Sequence, residues 1–78
     1  MKIKILYYAQ LRDIFGCDSR EMEVRQDASV GEVEQMLRRQ AGLEELFFKK
    51  AVNEEWASDE RILKDQDVLV LLPPVSGG

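Results

Sequence analysis

Residues 68–72 read Val-Leu-Val-Leu-Leu, and Pro73 and Pro74 follow at once. Five apolar residues in a row, too few for a helix and closed by two residues that cannot donate to a sheet ladder, predict a buried strand. A strand apolar at every position belongs at the centre of a sheet, with one face packed on a helix and the other covered or offered to a partner. Only 78 residues are available to surround it. A chain of that length buries about 60% of its unfolded surface, so one domain with one core is expected.

Covalent or metal staples cannot supplement that core. The chain has one cysteine and no histidine, which leaves neither a disulfide nor a zinc site with the usual ligands. Its 45% hydrophobic and 33% charged content fit a folded soluble domain and argue against disorder. With 11 basic against 15 acidic side chains the net charge is -4, which disfavours nucleic acid and anionic membrane surfaces as partners. The apolar run in "MKIKILYYAQ" is too short for a signal peptide or a membrane span. The unpaired Cys17 suits a reducing, cytoplasmic setting.

Along the chain, "KIKILYY" alternates, which predicts a strand with Ile3, Ile5 and Tyr7 on one face and Leu6 and Tyr8 on the other. "AQLRDIFG" changes period: Leu11, Ile14 and Phe15 predict a short helix ended by Gly16 in the left-handed conformation. "REMEVRQ" returns to alternation, with Met22 and Val24 inward. "SVGEVEQMLRRQAG" carries the clearest helix signals, with Ser29 as N-cap, Glu32 completing a capping box and Gly42 as the stop. Val30, Val33 and Leu37, with Met36 beside them, form its buried stripe, and Glu34, Gln35, Arg38 and Arg39 its solvated side. "LFFKKAVN" and "EWAS" predict two short strands meeting at Asn53-Glu54-Glu55, followed by a single turn over "DERIL" and a loop over "KDQD". The order implies an α+β chain: a β-grasp (ubiquitin-like) domain over residues 1–72, its mixed sheet wrapped on one main helix, the first and last strands parallel at the centre.

Residues 73–78, Pro-Pro-Val-Ser-Gly-Gly, form an extended C-terminal tail on this reading. Pro73 and Pro74 stop the sheet and stiffen the exit. At roughly 3.3 Å per residue the tail can reach on the order of 20 Å. Gly77 and Gly78 lack a Cβ, so the terminal carboxylate can pass down a channel too tight for other residues. That carboxylate is an inert anion at neutral pH, with a pKa of about 3.5. Adenylation by ATP on a partner enzyme would turn it into an acyl donor to a sulfur or amine nucleophile.

"ILYYAQLRDIFG", "AVNEEW" and "LKDQDVLVLLPPVSGG" together resemble the small subunit of molybdopterin synthase, a sulfur-carrier family of ubiquitin-like fold. The resemblance spans nearly the whole chain, the middle helix agreeing only in pattern. It implies that an E1-like adenylyltransferase uses ATP to adenylate Gly78, and that a sulfur donor converts the product to a thiocarboxylate. It further implies that the tail enters the large synthase subunit and gives sulfur to cyclic pyranopterin monophosphate, making molybdopterin. No bound cofactor and no metal is implied, and Gly77 provides access. General acid and base groups would belong to the large subunit, in a heterotetramer of two small subunits flanking a large-subunit dimer. Alone, the chain is small enough to be expected as a monomer.

Strand parity turns Tyr8 away from the core, Trp56 follows the Asn53 turn, and Leu72 ends the last strand. By resemblance these three form the patch that meets both partners, with Pro73, Pro74 and Val75 entering the contact. Two other functions share the activation chemistry: a protein modifier conjugated through Gly78 to lysines, and a thiamine-pathway sulfur carrier, whose members are shorter and match "YYAQLRD" and the Pro-Pro stalk less well. Cys17 is read as an ordinary thiol, Arg12 as a surface or capping residue, and Lys64 as part of a solvated turn. The acidic group Glu54, Glu55, Asp59, Glu60, Asp65 and Asp67 is read as steering the domain to a basic partner.

Overall fold

The structure is a computed structural model, and it describes residues 1–42 and 49–73. Its elements are β1 (Lys2–Tyr7), α1 (Gln10–Phe15), β2 (Ser19–Glu23), α2 (Val30–Ala41), β3 (Lys49–Val52), β4 (Glu55–Trp56) and β5 (Val68–Leu72). The strands form one sheet in the order β2-β1-β5-β3-β4. β1 and β5 run parallel, pairing Ile5 with Leu69 and Tyr7 with Leu71, and all other pairs are antiparallel. The apolar run at 68–72 is therefore central, and the mixed β-grasp sheet expected from the sequence is the one observed.

One sheet face carries the core. Ile3, Ile5, Tyr7, Met22, Val52, Leu69 and Leu71 are buried there with Val30, Val33 and Leu37 of α2 and Leu11 of α1. Tyr7 stacks on Phe15 with ring centroids 4.4 Å apart and planes 10° from parallel. Burial pushes its phenol above the usual 10.0, against the opposing influence of Arg20. Gly16 and Gly42 end the two helices at φ 77° and 67°, as the stop signals predicted.

Several local expectations are corrected. Ser29 does cap α2, accepting from the Glu32 N–H at 3.2 Å, but the Glu32 carboxylate pairs with Arg25 instead of closing the capping box. Met36 is exposed, whereas Glu34 is buried and Arg38 half-buried. These two face inward because Lys50 of β3 and the i,i+4 arginine neutralise the Glu34 carboxylate there. The single turn expected over "DERIL" is present only at its start, where the Arg61 N–H donates to the Ser58 carbonyl at 3.2 Å; beyond it Ile62 forms an isolated bridge with Ser29, and Val30 donates to the Arg61 carbonyl at 2.9 Å. The strand expected in "EWAS" covers only Glu55–Trp56. The start of "LFFKKAVN", residues 46–48, lies outside the described residues. Among the described residues no helix is long and apolar enough to cross a membrane.

An open sheet face beside the last strand

The second sheet face has no helix on it among the described residues. The register puts Leu6 beside Val70, Val70 beside Ala51, and Ala51 beside Trp56, an apolar row across four strands. Val68 and Leu72 flank it on β5, each half-buried. Tyr8 and Trp56 are the most open of these side chains, 47% and 69% exposed. A groove on this face is lined by Leu6, Tyr8, Asn53, Glu54, Val68 and Val70. Lys49, cross-strand from Leu72, places its Nζ 5.7 Å from the Trp56 ring centroid, within cation–π range.

Tyr8, Trp56 and Leu72 were expected to share a patch, and the structure places them on one face. Pro73 follows as a half-buried residue just past β5. Pro74, Val75, Gly77 and Gly78 lie outside the described residues. The centre of the row was not singled out from the sequence. Leu6 and Val70 are the residues between the predicted aromatics, and their signal was the second apolar face of β1 and β5.

Side-chain hydrogen bonds fix the rim. Asn53 and Glu54 turn the β3–β4 hairpin with φ 50° and 73°, the positive values a two-residue turn requires. The Asn53 side chain accepts from the Val68 N–H at 3.0 Å and donates to Asp67 at 2.8 Å. Asp67, nearly buried, also accepts from the Lys64 N–H at 2.8 Å. Asp65 accepts from the Lys2 N–H at 2.8 Å, and that hydrogen bond holds its carboxyl below the usual 3.8. Asp59 pairs with Lys50. The acidic group expected to steer a partner is thus partly structural: Asp59, Asp65 and Asp67 are engaged within the chain.

Cys17 is half-buried, with Sγ 3.8 Å from the Phe15 carbonyl oxygen. Arg12 is exposed beside Tyr8, in a shallow depression shared with Asp18 and Ser19. Lys64 is exposed, as expected. Among the described residues no cluster of acidic and cysteine side chains could hold a metal ion. Among the described residues the face presents an apolar contact surface with a few charges, an arrangement suited to docking.

Residues 5–78 match the ThiS family model. The chain is 30% identical over 83 residues to the molybdopterin synthase sulfur carrier subunit of Chlamydomonas reinhardtii, covering all of both chains. It superposes with a TM-score of 0.88 on a Pyrococcus furiosus protein described as a candidate molybdopterin converting factor subunit 1, at 28% identity over 96% of this chain and 99% of that one. SAMP1 of Haloferax volcanii, small archaeal modifier protein 1, gives 0.84 at 28% identity over the whole of both chains. The complex of subunits 1 and 2 of molybdopterin-converting factor from Helicobacter pylori gives 0.71 at 25% identity, again over the whole of both chains. With an open-faced β-grasp sheet and a family match that runs to Gly78, the chain belongs to the ThiS family.

Proposed function

We propose that this chain is a sulfur carrier and the small subunit of a molybdopterin synthase. One observation carries the reading: β5 contributes Val68, Val70 and Leu72 to the open face, and the same strand continues in sequence toward Gly77 and Gly78. A surface for gripping a partner and the reactive end of the chain therefore share one element. The relative named as a sulfur carrier subunit and the solved complex of subunits 1 and 2 support the same assignment.

The chain contributes a single reactive group, the Gly78 carboxylate, which is no electrophile while ionised. On an E1-like adenylyltransferase its oxygen attacks the α-phosphorus of ATP, pyrophosphate leaves, and an acyl-adenylate results. A sulfur donor attacks the acyl carbon, AMP leaves, and the new C–S bond is that of a thiocarboxylate. The large subunit accepts the tail and passes the sulfur to cyclic pyranopterin monophosphate, and water restores the carboxylate. Tyr8, Trp56 and Leu72 grip the partner, Pro73, Pro74 and Val75 direct the tail, and Gly77 keeps the channel narrow. The chain itself binds no cofactor, and the working assembly is two copies flanking a large-subunit dimer in a reducing cytoplasm.

Intact-mass spectrometry tests this. After incubation with ATP, the activating enzyme and sulfide, the mass rises by the replacement of one oxygen by sulfur, and the gain disappears as molybdopterin forms with the large subunit and precursor. Deleting Gly77 and Gly78 abolishes both. The likeness to SAMP1 favours a second reading, a protein modifier joined through Gly78 to lysines. Gly78-linked lysine conjugates without sulfur transfer to the pterin would select it.

A further inference from the structure

We infer that the open face is self-complementary and joins two copies of this chain about a two-fold axis. Two depressions share Leu6 and Tyr8: the groove that reaches Glu54, and the shallower one that reaches Arg12. In the sheet order, Ser19 of β2, which lines the Arg12 depression, lies beyond β1, and the β3–β4 turn that carries Glu54 lies beyond β5. An exposed cation and an exposed anion therefore stand past the two ends of the Leu6–Val70 pair, one beyond β1 and the other beyond β5.

Neither charge makes an ion pair among the described residues, although Asp18 lines the Arg12 depression. The acids near Glu54 in sequence are mostly committed elsewhere: Glu55 to Arg61 at 3.7 Å, Asp59 to Lys50, Asp65 to the Lys2 N–H, and Asp67 to Asn53. A two-fold axis in the contact plane, perpendicular to the line from Arg12 to Glu54, brings each copy's Arg12 onto the other's Glu54. The same operation lays one apolar row over the other and covers Tyr8, which is 47% exposed in the single chain.

Each copy carries a net charge of -4, so long-range repulsion opposes the pair and the dimer forms only at high concentration. It uses the face assigned above to the large subunit. On that reading the dimer and the synthase contact exclude each other, but the dimer is tested on the chain alone.

Sedimentation equilibrium over about 10 μM to about 1 mM should show the average mass rising from 9.0 kDa toward twice that value. Arg12→Glu and Glu54→Arg should each weaken association by about tenfold or more. An equimolar mixture of the two single variants, and the double variant, should recover it, because opposite charges again face each other. Recovery in the mixture also shows that both variants are folded. A mass that stays at 9.0 kDa throughout, single variants that associate like the original chain, or no recovery in the mixture overturns the inference.

Discussion

At position 31 a single hydrogen atom decides how closely two segments approach. The Gly31 N–H donates to the Asp59 carbonyl at 2.9 Å, and a Cβ there would lie 3.0 Å from the Asp59 Cβ and 3.2 Å from its carbonyl oxygen. Gly31→Ala should therefore destabilise the domain by about 1–3 kcal/mol through overpacking, although alanine is the better helix former. A urea midpoint unchanged or raised in this variant would refute the contact. Asp65 gives a prediction with a sign. Its folded carboxyl titrates below the usual 3.8, so its contribution is present above that value and is lost as pH falls through the folded pKa. Asp65→Asn should flatten the acid limb of stability below about pH 4, and an unaltered limb would mean that the hydrogen bond to Lys2 contributes no linkage. Neither role was legible in the sequence. A glycine near a helix start and an aspartate in a turn have ordinary local explanations, and their partners lie 28 and 63 positions away.

Helix α2 shows how far the sequence carries at the level of elements. Its start, its stop and the buried Val30, Val33 and Leu37 follow from capping and period, because those signals act within a turn or two of chain. The inward turn of Glu34 depends on Lys50, which comes from β3 and bridges Glu34 to Asp59. Burial, the largest influence on Lys50, lowers its pKa, and the hydrogen bonds to Asp59 and Glu34 more than offset it, so the ammonium titrates above the usual 10.5. The stability it supplies is present below that value and is lost as pH rises through the folded pKa. Lys50→Met should cost about 1–3 kcal/mol near neutral pH, by leaving the buried carboxylate of Glu34 with Arg38 alone. It should also remove the corresponding loss of stability at alkaline pH. Thermal unfolding across pH measures both effects, and a Lys50→Met variant as stable as the original would show that the clasp contributes nothing.

On the scale of the whole molecule, the two sheet faces divide the work. One closes the core, and the other leaves Leu6, Val70 and Trp56 in a row with Tyr8 beside it. Trp56 is 69% exposed, so Trp56→Ala should change folding stability by no more than about 0.5 kcal/mol. If the face docks the large subunit, the same substitution should weaken that complex by about 2 kcal/mol, the cost of losing a large aromatic anchor. Calorimetric titration with the large subunit decides, and full affinity in the variant would remove Trp56 from the interface.

The sequence by itself determined that the chain has one core, that α2 is its main helix, that residues 68–72 form the central strand, and that two prolines close that strand. Each of these rests on composition or on patterns a few residues long. Only the tertiary structure decided that Glu34 points inward, that Asp65 and Asp67 stitch loops to strands, and that Arg12 and Glu54 flank one apolar row. The physical reason is the same in each case: a buried charge, a close backbone approach or a surface patch is defined by groups that chain folding brings together, and no local pattern encodes the partner.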